Sequence, residues 1–154
     1  TLFRSSNAVT FGPGVLRELG SLAKSLQASR VALFTDPVVA QLPHVAIARD
    51  SLRAAGIDVA IYDAVVIEPT DRALENAIAF AKTGRFDAYV SVGGGSVIDT
   101  CKAANLYATY PDDLLAYVNA PIGDGRAPPG PLRPHVACPT TSGTGSEARR
   151  AASQ

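Results

Sequence analysis

Apolar positions along this chain alternate between a helical spacing and short strand-like runs. In residues 15–27 (VLRELGSLAKSLQ), Val15, Leu19, Leu22 and Leu26 recur every three or four positions, which predicts a helix with these side chains on one stripe. Residues 31–35 (VALFT) form a short continuous apolar strand that Asp36 and Pro37 end. Residues 44–55 read as a helix closed by Gly56 in the usual C-terminal position. Residues 57–62 (IDVAIY) alternate as a strand. Thr70 or Asp71 can cap a helix carrying Leu74, Ala77, Ile78 and Ala81, which Gly84 stops. Residues 87–92 (DAYVSV) predict the next strand, 96–109 the helix after it, and 112–119 (DDLLAYVN) a short further helix. With five prolines and three glycines in fourteen positions, residues 121–134 predict an extended surface loop. HVACPTT (135–141) then predicts one more strand, running into SGTGSE (142–147).

Strands separated by helices of this length imply βαβ units, and hence an α/β fold with a Rossmann-like parallel sheet flanked by helices. Such crossovers are right-handed in the great majority of cases. Ligands of these sheets bind beyond the carboxyl ends of the strands. Asp36 and Gly93–Ser96 both stand at such ends, so they could face one crevice.

Size and composition narrow the class. The 154 residues fit one domain, and a domain of that size buries roughly 70% of its unfolded surface. A hydrophobic share of 47% with 18% charged residues suits a folded α/β protein and excludes a disordered one. Fourteen basic residues balance fourteen acidic ones, so no electrostatic footprint for nucleic acid is expected. No apolar run approaches the ~20 residues that span a bilayer and no signal-peptide pattern opens the chain, so no membrane partner is expected. Cys101 and Cys138 read as small core residues rather than a disulfide, which favours a reducing compartment. The chain contains no Met, even at position 1, and its N-terminus is expected to be a processed, trimmed or fragmentary end.

The chemistry concentrates in DAYVSVGGGSVIDTCK (87–102). Glycines cost roughly 0.5–1 kcal/mol each relative to Ala in regular structure. Gly93, Gly94 and Gly95 in a row, opening a helix, fit a phosphate cradle in which backbone amides and the helix N-terminus meet an anion; the alternative is a tight turn. The run is not the common dinucleotide fingerprint, because Ile98 stands where its third glycine belongs and the best acid, Asp36, precedes the glycines. Ser96 and Asp99 have the spacing of an N-cap and its third helical position, so they are either a helix cap or, for Ser96, a pyrophosphate contact. Lys102 reads as a solvated helix lysine. Asp36 is either a turn former or a carboxylate that accepts hydrogen bonds from an adenosine ribose and repels a 2′-phosphate. Thr140, Thr141, Ser142, Thr144 and Ser146, interleaved with Gly143 and Gly145, make a second candidate phosphate or ribose loop, or an ordinary polar one. His44 and His135 share no ligand spacing and read as surface or boundary residues. No Ser–His–Asp or Cys–His arrangement can be argued.

VGGGSVIDTCKAANLYA (92–108) followed by PTTSGTGSE (139–147) resembles the iron-containing alcohol dehydrogenase family, and within it the hydroxyacid–oxoacid transhydrogenase branch. FGPG (11–14), the TD at 35–36, YDAVVIEPTD (62–71), GRFDAYV (84–90) and APIG (120–123) extend the resemblance over residues 11–147. It implies an NAD-binding α/β domain over 1–147 and, in relatives, an all-helical C-terminal domain whose Asp and three His ligate iron or zinc. By this resemblance Asp36 is the adenosine-ribose acid. Gly94, Gly95 and Ser96 are pyrophosphate binders, and Thr140, Thr141 and Thr144 are further cofactor contacts. Glu68 lies where relatives have a polar residue near the adenine. Residues 148–154 (ARRAASQ) do not resemble the family's continuation and are expected to be an atypical tail, from a truncation, frameshift or fragment.

The resemblance implies the cofactor half of a metal-dependent oxidoreductase for small alcohols or hydroxyacids. In relatives the metal polarises the alkoxide and hydride passes to the nicotinamide; the transhydrogenase branch carries it from 4-hydroxybutyrate to 2-oxoglutarate. With neither the metal ligands nor the helical domain in residues 1–154, no catalytic residue is expected and the chain alone is expected to be inactive. The alternative is a non-catalytic nucleotide-binding module or a non-functional truncated fragment. An uncovered apolar face would let the chain aggregate or pair, so a homo-oligomer is among the expected partners. The expected compartment is the cytoplasm, with the mitochondrial matrix as the alternative.

Overall fold

The computed structural model describes residues 14–140. A 3-10 turn at Val15–Glu18 leads into α1 (Leu19–Ser25). Then follow β1 (Arg30–Phe34), α2 (Pro43–Ala54), β2 (Asp58–Tyr62), α3 (Asp71–Gly84), β3 (Ala88–Gly93), α4 (Gly95–Thr109) and β4 (His135–Pro139). The four strands form one parallel sheet in the order β2-β1-β3-β4. The expected α/β architecture is therefore present.

Strand alternation sorts the core into two layers. Val31, Leu33, Val59, Val90 and Val92 point to one face, where Leu19, Ala23, Val45, Ala48 and Leu52 of α1 and α2 cover them. Ala32, Phe34 and Tyr89 point to the other, beneath Ala77 and Ala81 of α3 and Val97, Cys101 and Ala104 of α4. β1 and β3 are buried on both faces, so they carry apolar side chains at nearly every position. No helix among the described residues is long and apolar enough to cross a membrane.

Local chemistry sets the helix ends. Pro43 opens α2, where its missing N–H costs nothing. At the other end the Gly56 N–H donates to the Arg53 carbonyl at 2.9 Å and the Ile57 N–H to the Leu52 carbonyl at 3.1 Å. Gly56 takes the left-handed conformation that this double closure needs, with φ 78°. Thr70 caps α3, its Oγ1 accepting from the Ala73 N–H at 3.2 Å.

Three sequence expectations are corrected here. The helix over 15–27 splits, and its stripe is not the one expected: Leu22 and Leu26 are about two-fifths exposed while Leu19, Gly20 and Ala23 are buried. The cause is close approach to α2. A Cβ on Gly20 would lie 2.1 Å from the Ser51 carbonyl oxygen, and the Gly20 N–H donates to Ser51 Oγ at 2.9 Å. The helix over 112–119 does not form. Internal bonding is limited to short turns, and the carbonyls of Leu115, Ala116 and Val118 accept from the N–H groups of Asp124, Arg126 and Gly125, on the chain folding back across them. Gly84 does not supply the turn after α3. Arg85 takes the left-handed conformation (φ 50°, ψ 55°), whereas Gly84 leaves room for Phe86, whose ring a Cβ would meet at 2.1 Å.

Candidate functional site

The chain leaves β1 towards β2 on one side and returns through α3 to β3 on the other. The carboxyl ends of β1 and β3 are thus the switch point of this sheet, where a crevice for ligand opens. Asp36 follows β1 and Gly93–Ser96 ends β3 and begins α4, so the structure brings these two sequence candidates together. Thr140 joins them from β4, its N–H donating to the Gly93 carbonyl at 2.9 Å. Thr141 and Thr144 lie outside the described residues.

Asp36 forms the turn after β1. Its Oδ1 accepts from the N–H groups of Val38 at 2.9 Å and Val39 at 2.7 Å, and Oδ2 has no partner among the described residues. The turn reading holds, with one carboxylate oxygen left over. Val38 is 75% exposed and Ile67, in the loop after β2, is 82% exposed, so apolar side chains stand free on this side of the sheet's carboxyl edge. Glu68 follows in the same exposed loop with a left-handed backbone, φ 54°.

The glycines divide the work. Gly93 needs to be glycine for both conformation and space: its φ is +157° and a Cβ would meet Val97 Cγ2 at 2.6 Å. Gly94 is the N-cap of α4, with φ −82° and ψ −169°, an extended backbone open to any residue. Its carbonyl accepts from the N–H groups of Val97 and Ile98, both at 3.1 Å. Among the described residues no side chain caps this helix end. The amides of Gly95 and Ser96 therefore lack an acceptor among the described residues, at the positive end of the α4 dipole.

Ser96 is corrected from cap to helix residue. The helix begins at Gly95, so Ser96 and Asp99 do not pair as cap and third position, and Asp99 is exposed. Lys102 is half-buried rather than fully solvated, and its charge reaches His135 and Cys101. His135 is a boundary residue as expected, but not a bland one. Its Nε2 lies 2.8 Å from the buried Ser91 Oγ, and burial with the nearby Lys102 charge holds its pKa down to about 4. Burial pushes the Cys101 thiol well above its ordinary value and Cys138 to about 11; both are free thiols, as expected. Thr35, assigned no role from the sequence, is fully buried between β1 and β3. Its one signal in the sequence is a hydroxyl ending an otherwise apolar run.

The model of the family described as iron-containing alcohol dehydrogenase matches residues 6–153. The chain belongs to the iron-containing alcohol dehydrogenase family. That match runs into the segment 148–154. The mitochondrial hydroxyacid-oxoacid transhydrogenase of Bos taurus is 54% identical over 142 residues, which cover 92% of this chain. The chain spans only 30% of that relative's length. A solved 1,3-propanediol oxidoreductase matches with a TM-score of 0.81 at 34% identity, covering 92% of this chain and 36% of its own. The NADH-dependent butanol dehydrogenase A of Thermotoga maritima matches with a TM-score of 0.66 at 27% identity, covering 73% and 29%. The chain thus resembles the transhydrogenase branch of the family in sequence. Nothing in these likenesses supports the cytoplasmic expectation, since the bovine relative is mitochondrial.

Proposed function

We propose that this chain is the NAD(H)-binding half of an iron-containing alcohol dehydrogenase of the hydroxyacid–oxoacid transhydrogenase type. The observation that carries the proposal is the uncapped N-terminus of α4 beside Asp36 at the switch point of the sheet. In this reading the amides of Gly95 and Ser96, with Gly94 ahead of them, hold the pyrophosphate. Asp36 Oδ2 accepts from the adenosine ribose, which disfavours a 2′-phosphate and selects NAD over NADP. Thr140, with Thr141 and Thr144, contributes further cofactor contacts. When bound, the nicotinamide supplies the hydride acceptor. The residues of this half bind it and fix its orientation.

The described residues do not fit a metal. Among the described residues no group of His, Cys, Asp or Glu gathers as a ligand set would. The role assigned to this half therefore stops at holding the cofactor, and the 154-residue polypeptide is expected to bind NADH without turning over small alcohols or hydroxyacids. The name of the bovine relative supports the mitochondrion as the compartment.

An NADH titration followed by amide resonances tests the assignment. Shifts concentrated at residues 36–39, 93–96 and 140 would support it. Binding with shifts confined elsewhere, or oxidation of a small alcohol or hydroxyacid by the purified chain, would overturn it.

A further inference from the structure

We propose that Thr35 is the positioning residue of this crevice: its buried hydroxyl clamps the turn bearing Asp36 to the turn bearing Gly93–Ser96, so that both meet one ligand as a unit. The proposal rests on the nucleotide-binding reading given above.

Three hydrogen bonds converge on this fully buried residue. Its N–H donates to the Tyr62 carbonyl at 2.8 Å, its carbonyl accepts from the Val65 N–H at 3.3 Å, and its Oγ1 donates to the Val92 carbonyl at 2.8 Å. The first two bind the end of β1 to the loop after β2. The third binds it to β3, and its position in the register gives it special weight. Pairing of β1 with β3 ends at Phe34 opposite Ser91. One residue further on, the Thr35 side chain takes over where the backbone ladder stops. Thr35 directly precedes Asp36, and Val92 directly precedes Gly93. A single hydroxyl thereby fixes the separation between the carboxylate and the amides at the head of α4, while Thr140 holds Gly93 from the other side.

The hydroxyl is turned towards Val92 and sealed from the crevice, so Thr35 acts through its neighbours and touches no ligand. Removing it leaves the Val92 carbonyl buried with one donor fewer. The nearest relief is for the strand ends to part and admit water. That motion would carry Asp36 away from the amides.

The test compares the 154-residue chain with Thr35→Val, which keeps the shape and loses the hydroxyl, and Thr35→Ser, which keeps the hydroxyl. Amide hydrogen exchange is read without ligand, and NADH affinity by titration. In Thr35→Val the amides of Val38, Val39 and Thr140 should exchange faster while those of mid-strand residues such as Leu33 do not. NADH binding should weaken by roughly three- to tenfold, as expected for a displaced binding group. Thr35→Ser should restore both. If the parent chain does not bind NADH, the nucleotide reading fails and the exchange pattern alone judges the clamp. Unchanged exchange at these turns in Thr35→Val, or loosening spread evenly over the sheet and not rescued by serine, would overturn it. Should Thr35→Val fail to fold, Thr35→Ala set against Thr35→Ser isolates the same hydroxyl.

Discussion

Gly93 and Val97 are packed so closely that a Cβ on the glycine would stand 2.6 Å from Cγ2 and 2.9 Å from Cβ of the valine. The turn into α4 thus curls its own first helical turn back over the end of β3. Gly93→Ala must strain a backbone at φ +157° and displace a fully packed side chain at once. A loss of about 2–4 kcal/mol is expected. Urea denaturation checks it, and an unchanged midpoint would contradict the geometry.

The end of α3 predicts the opposite sign. Arg85 is exposed and holds the left-handed conformation that glycine takes at no steric cost. Arg85→Gly should stabilise the chain by up to about 1 kcal/mol. Thermal melting measures this directly, and a lower midpoint would show that the arginine side chain contributes more than its backbone costs.

Acid should unfold the protein through His135. In the unfolded chain an imidazole titrates near its ordinary value of 6.5, whereas in the folded chain burial and Lys102 hold it down to about 4. Between these values the unfolded state binds more protons. Stability is therefore complete above about pH 6.5 and falls progressively as the pH drops to about 4, by on the order of 2–3 kcal/mol. His135→Gln, which can still meet Ser91 Oγ, should flatten this slope. Asp87, held below its ordinary value by the Ser29 and Arg30 donors although burial opposes this, adds its loss only at lower pH. Denaturation midpoints at pH 7, 5.5 and 4.5 for both proteins decide the matter.

The order of strands and helices was legible because each element has its own spacing and punctuation: the apolar runs of β1 and β3, Gly56 after α2, and Thr70 before α3. The candidate crevice was legible for a related reason, since Asp36 and the glycines sit at strand ends that a parallel sheet places side by side. What escaped depended on contacts between distant segments. Gly20 touches Ser51, so α1 buries small residues and leaves Leu22 and Leu26 outside. DDLLAYVN has helical composition, but the returning chain at 124–126 takes its carbonyls. The hydrogen bond from Thr35 to Val92 spans 57 positions, and no local pattern announces it. Within the glycine run, composition could not tell that Gly93 faces the steric demand of Val97 while Gly94 keeps an ordinary backbone.

That ordinary backbone makes the most direct test available. At the Gly94 N-cap, aspartate is at least as good as glycine for the helix, so Gly94→Asp should fold and gain a few tenths of a kcal/mol. It would also place a carboxylate where the pyrophosphate is proposed to sit. Calorimetric titration of NADH into the parent chain and into this variant separates folding from binding. Saturable one-to-one binding to the parent, lost in Gly94→Asp while the melting temperature holds or rises, is the predicted result. Equal affinity for the two proteins, or no saturable binding to the folded parent, would contradict the account.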